Sequence, residues 1–130
     1  MSSLTYESIA FLQDGSDFDI AVAARLVAEW LPGWQVTQRD KSISVQGSNC
    51  EFRLHLADEP FVAEESQGMA EYFAECPRSP KIAKCKRRVE ITCADPDPDM
   101  AHFNDYLFVL HALEEFRGVI LFDPRSGELI

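Results

Sequence analysis

The sequence predicts an α+β fold: a single two-layer domain, residues 1–130, with about three helices packed on one side of a mostly antiparallel sheet. Three observations carry this expectation. Cys50–Leu56 alternates apolar Cys50, Phe52, Leu54 and Leu56 with polar Glu51, Arg53 and His55, the period of a half-buried strand. The strand candidates Gln35–Arg39, Ser42–Gln46 and Cys50–Leu56 are joined by Asp40-Lys41 and by Gly47-Ser48-Asn49, connections too short for a parallel crossover. Longer stretches between the strand candidates carry apolar residues at helical spacing.

Taken in order, Leu4–Leu12 is a first strand, ended by Asp14-Gly15. Ser16 or Asp17 then caps a helix whose stripe is Ile20, Ala23, Ala24, Val27, Trp30 and Leu31, and Pro32-Gly33 stops it. After the three-strand meander, Asp58-Glu59-Pro60 opens a second helix over Phe61–Glu75, with Val62, Ser66, Met69, Ala70 and Phe73 on its inner face. Pro77 and Pro80 end it, and Lys81–Cys93 follows as a strand with Cys85, Val89, Ile91 and Cys93 on one parity. The turn Asp95-Pro96-Asp97-Pro98-Asp99 leads into a third helix over Asp99–Phe116, with Gly118 at its C-terminal end. Val119–Asp123 is wholly apolar up to its last residue and reads as a strand covered on both faces, with Glu128-Leu129-Ile130 as a closing edge.

Charge is the next constraint. The chain holds 22 acids against 12 bases, a net charge of −10. That balance disfavours nucleic acid as a partner, because neutralising phosphates requires excess positive charge. The 46% hydrophobic content excludes a disordered tail. No apolar run is long enough to span a membrane, and the opening Met-Ser-Ser-Leu-Thr-Tyr-Glu lacks the basic and apolar regions of a secretory signal, so the expectation is a cytoplasmic protein with reduced thiols.

The bases are not evenly spread. Arg78, Lys81, Lys84, Lys86, Arg87 and Arg88 are half of the 12, in a stretch without an acid. This basic ribbon reads either as an edge strand protected by lysine or as a contact for an acidic partner or a second copy of the chain. The acids concentrate on and before the second helix, with Glu64, Glu65 and Glu71, and at Asp95, Asp97 and Asp99 before the third. Such clusters either keep a surface soluble or steer a cationic protein onto it; Tyr72 and Trp34 are read either as the aromatic anchors of such a surface or as core residues.

The chemistry-bearing patterns are sparse. Cys50, Cys76, Cys85 and Cys93 contain no C-x-x-C pair, and His55, His102 and His111 supply no closely spaced histidine pair, so no metal site and no cofactor are expected. No glycine pattern matches a phosphate cradle. Cys50 and Cys93 fall on apolar strand faces, where cysteine acts as a small hydrophobe. A third and weaker expectation is a small Cys/His enzyme using Cys76, beside Arg78 and Lys81, with His102 or His111 as base.

In size and acidity the chain resembles the immunity proteins of bacterial polymorphic-toxin and of contact-dependent or type VI secretion systems. Its segments His102–Leu107, Gly118–Pro124 and Ser126-Gly127-Glu128 look like the C-terminal helix, strand and turn of small bacterial proteins, a likeness covering about the last thirty residues. The resemblance implies a non-enzymatic protein that binds and neutralises a cognate toxin through its acidic surface. The alternative is a self-associating adaptor or regulatory subunit, a homodimer built by strand addition at the basic ribbon or at Val119–Ile130.

Overall fold

A computed structural model describes residues 4–130; the first three residues of the opening segment lie outside it. The α+β class is present, with seven strands and four helices among the described residues: β1 (Tyr6–Leu12), α1 (Ile20–Trp30), β2 (Gln35–Arg39), β3 (Ser42–Gln46), β4 (Glu51–Ala57), α2 (Pro60–Tyr72), α3 (Ser79–Ile82), β5 (Arg87–Cys93), α4 (Phe103–Glu114), β6 (Val119–Asp123) and β7 (Glu128–Leu129). The strands form one sheet in the order β2-β3-β4-β5-β1-β6-β7. Every neighbouring pair is antiparallel. None of the helices among the described residues is long and apolar enough to cross a membrane.

Strand alternation assigns two faces. Ala10, Leu12, Ile43, Phe52, Leu54, Val89 and Ile91 point to one side, where they meet Ala23 and Val27 of α1 and Val109, Leu110 and Leu113 of α4. This is the helical layer the pattern predicts. The opposite parity of β1 and β6 places Ile9, Phe11, Ile120 and Phe122 on the other side, in a smaller core with Ala70, Cys76, Ile82 and Cys85. Helices therefore cover both faces of the sheet, but α2 and α3 cover only part of the second one. On the uncovered part, β2, β3, β4 and the end of β5 present polar side chains around a shallow hollow of about 730 Å³.

Several boundaries differ from the sequence reading, each for a local reason. Asp19, rather than Ser16 or Asp17, caps α1, its carboxylate accepting from the Val22 N–H at 3.0 Å. Ser16 instead accepts from the Phe18 N–H, and Asp17 accepts from the Arg117 N–H at 2.7 Å. Residues 99–102 form turns before α4, because Asp97 gathers the N–H groups of Ala101 and His102 and Met100 has φ of +55°.

The stretch from Lys81 is not strand throughout. Pro80 sits in the first turn of the short helix α3, and the Ser79 hydroxyl donates to the carbonyls of Phe73 and Ala70, closing the end of α2. The strand begins only at Arg87, so the parity of Val89 does not extend back to Cys85, which lies in the second core. Nor is it an edge: β5 is the middle strand, pairing Ile91 with Leu54 on one side and Val89 with Ala10 on the other. The edges are β2 and β7.

The β6–β7 turn docks on α2's C-terminal end. Gly127 has φ of +75°, and a Cβ there would strike the Phe73 ring, which rests on Phe122 with ring centres 5.3 Å apart. Gly127→Ala should cost about 1–3 kcal/mol through the positive φ and the forced shift of Phe73. Thermal unfolding measures it, and an unchanged midpoint would show that the turn is free to move away.

Candidate functional site

The acidic helix α2 turns Val62, Ser66 and Ala70 inward. Its outer face follows from the same periodicity: Phe61, Glu65, Gly68 and Tyr72 lie within about 60° of one another around the axis. Tyr72 is 82% exposed and Phe61 48%. A Cβ built on Gly68 would meet no atom within 4 Å, so the strip between the two rings is flat and open. Glu64, Glu71 and Glu75 flank it and are exposed. Phe61 escaped the sequence reading, although its spacing to Tyr72, outside the Val62–Ser66–Ala70 stripe, could have found it.

Glu65 differs from its neighbours. Its Oε1 accepts from Arg88 Nη2 at 2.5 Å, and Glu90 Oε2 accepts from Arg88 Nε at 3.0 Å. Arg88 lies beside the second core with only 6% of its surface exposed. The basic ribbon is thus dispersed: Lys84 and Lys86 are exposed, Arg87 is half-buried, and Arg88 is an internal cation held by two glutamates. Arg88 is not offered to a partner.

The second acidic group is also divided. Asp95 Oδ2 accepts from the Glu51 N–H at 2.8 Å, and its carbonyl accepts from the Thr5 hydroxyl at 2.7 Å. Asp97 accepts from the Tyr6 hydroxyl at 2.5 Å. That hydroxyl, helped by the two turn N–H groups, holds the Asp97 carboxyl below the usual carboxylate range, while burial and the Asp97 contact push the Tyr6 phenol up. These two acids tie the β5–α4 connection to β1 and β4, and Asp99 is exposed. Trp34 stacks on Phe52 with ring centres 5.5 Å apart and packs against the principal core, so its ring is committed inward.

The open sheet face carries cross-strand polar pairs. Ser42 stands opposite His55, with Oγ and Nδ1 3.0 Å apart, and Glu90 is the partner of His55 on its other side. Ser44 donates to Glu51 and holds its carboxyl low, with Arg53 adding to the effect. The hydroxyl, imidazole and carboxylate do not form a relay, since Glu90 is engaged by Arg88 and His55 is exposed.

The residues of the Cys/His expectation are not brought together. Cys76 is buried in the second core, whereas α4 lies across the sheet. His102 directs its ring nitrogens to Asp105 at 3.1 Å and Asn49 at 2.9 Å, and His111 stacks on Trp30. A different cysteine pair does converge. Cys50, just before β4, and Cys93, at the end of β5, are buried free thiols with sulfurs 3.7 Å apart. A carboxylate oxygen of Asp95 completes a set of three ligand atoms within 4.8 Å of one another. Burial pushes the Cys50 thiol up, with the Cys93 contact and the Asp95 and Asp97 charges in the same direction.

No family model matches this chain, and neither the curated proteins nor the solved structures provide a match.

Proposed function

We propose that this chain is a non-enzymatic protein-binding domain that docks a basic protein on the outer face of α2, most concretely as an immunity protein that neutralises a cognate toxin. The observation that carries the reading is Tyr72, 82% exposed on a helix that also presents Glu64 and Glu71, with Glu75 exposed in the turn just after it. An aromatic anchor inside a charged rim is the arrangement that concentrates binding energy in interfaces. The net charge of −10 gives the whole body a field that speeds encounter with a cation-rich surface. A toxin acting on nucleic acid presents such a surface, because it must neutralise phosphates. Asp95 and Asp97 serve this reading only as the scaffold of the β5–α4 connection, and Asp99 adds to the field.

The test is a calorimetric and stopped-flow titration against a basic toxin domain, to be sought in the reading frame next to this chain's. Tyr72→Ala should weaken binding by roughly 30-fold or more, as loss of a hot-spot aromatic does. Glu64→Lys with Glu71→Lys should slow association and flatten its dependence on salt. Glu65 is left intact in both variants, because it also serves Arg88. Unchanged affinity and salt slope in these variants would sink the acidic-helix interface.

A further inference from the structure

We propose that Cys50, Cys93 and Asp95 form a binding site for a thiophilic divalent cation, with zinc the best fit. Two thiolates about 2.3 Å from a tetrahedral zinc stand about 3.8 Å apart. The sulfurs of Cys50 and Cys93 are 3.7 Å apart in the fold itself. Hence the pair needs no rearrangement to grip such an ion, whereas a disulfide would require the sulfurs to close to about 2.05 Å. The third donor is in place as well, since the Asp95 carboxylate lies within 4.8 Å of both sulfurs.

The backbone holds these three groups from separate directions. Antiparallel pairing of β4 with β5, at Arg53 opposite Thr92, brings the start of one strand to the end of the other. The Thr5 N–H donates to the Cys93 carbonyl at 2.7 Å, and the Thr5 hydroxyl donates to the Asp95 carbonyl. The Glu51 N–H fixes Asp95 Oδ2 and so orients the carboxylate beside the two sulfurs. Core packing accounts for the two buried thiols and the Glu51 N–H for the setting of Asp95; the convergence of all three donors within 4.8 Å is what points to an ion.

On binding, each thiol loses its proton to solvent and two sulfur–metal bonds form, with no change of oxidation state. Two thiolates and one carboxylate leave a divalent ion with one net negative charge, and water takes the fourth position. The donor set of sulfur with one oxygen favours zinc over calcium or magnesium, which take oxygen ligands. The spacing of the residues hides the site, because Cys50 and Cys93 are 43 positions apart and meet only through the sheet.

The experiment uses the whole protein, reduced and free of metal, titrated with cobalt(II) as a spectroscopic stand-in and then with zinc. The expected result is a sulfur-to-cobalt charge-transfer band that saturates at one equivalent and is bleached by zinc. Carboxylates of the acidic surface cannot give that band. Cys50→Ala and Cys93→Ala should abolish it, Asp95→Asn should weaken affinity at least tenfold, and Cys85→Ala should leave it unchanged. No charge-transfer band with the unaltered protein, or an equal band in the Cys50 and Cys93 variants, would overturn the site. Should those variants fail to fold, alkylation of the unaltered protein gives the answer. Zinc should then slow modification of Cys50 and Cys93 at least tenfold relative to Cys76 and Cys85, and equal rates would count against the proposal.

Discussion

Removing both acids around Arg88, as Glu65→Ala with Glu90→Ala, should lower unfolding stability by about 3 kcal/mol, whereas Arg88→Met should stay within about 1 kcal/mol of the parent. The asymmetry follows from where the charges sit. The Arg88 side chain is 8% exposed, while Glu65 and Glu90 are 50% and 37% exposed. Without its acceptors the guanidinium is a buried cation, and its Nη1 already lacks a partner. Without the guanidinium, by contrast, the two carboxylates simply rehydrate, and a methionine fills most of the vacated space. The expected cost is at the low end for a broken buried pair, because water can follow the lost carboxylates toward Arg88. Urea midpoints at neutral pH measure the difference. Equal losses in the two proteins would mean that Arg88 stabilises the second core through attraction rather than merely tolerating its place there.

Phe52→Ala should cost about 3–5 kcal/mol, as expected for a fully buried phenylalanine. Phe52 is 0% exposed and sits under a group of aromatic rings, with Trp34 stacked at 5.5 Å and Tyr106 and Tyr6 at 6.1 and 6.3 Å. Truncation removes the floor from all three. Trp34 is also bounded by Gly47, where an added Cβ would come within 2.8 Å of the indole, and by the edge of His102 at 5.8 Å between ring centres. A domain of this size has about 5–15 kcal/mol in total, so the variant should be partly unfolded at physiological temperature. A fall in melting midpoint together with red-shifted tryptophan emission is the expected readout. A shift in emission alone would locate the effect at Trp34 and not in the core.

Much of the architecture could be read from local pattern. The alternation of Cys50–Leu56, the short connections of the meander and the helical spacing of α1, α2 and α4 all depend on near neighbours, and all appear in the fold. What depends on distant neighbours could not be read this way. Arg88 looks like a surface cation until α2 supplies Glu65 from 23 positions away. The Cys50–Cys93 approach needs the β4–β5 register, which no spacing rule encodes. The helix breaker at Pro80 was visible, but not that it would start a helical turn and shift the parity of Cys85. Within the acidic groups, residue type alone could not separate Glu64 and Glu71, which face solvent, from Asp95 and Asp97, whose carboxylates bind backbone N–H groups.

The place of β1 has a consequence for synthesis. Its two neighbours are β5 and β6, joined through contacts such as Tyr6 with Cys93 and Ile9 with Phe122. On the ribosome the first strand therefore emerges long before either companion exists. The β2–β3–β4 meander can close as soon as it clears the exit tunnel, because its partners are adjacent in the chain. The residues Ile9, Ala10, Phe11 and Leu12 must instead wait for their strand partners in β5 and β6, although α1 follows at once to meet Ala10 and Leu12 on one face. The strand at the centre of the β5–β1–β6 triplet is thus among the last to gain its hydrogen-bonding neighbours, which puts the closing of the sheet late in folding.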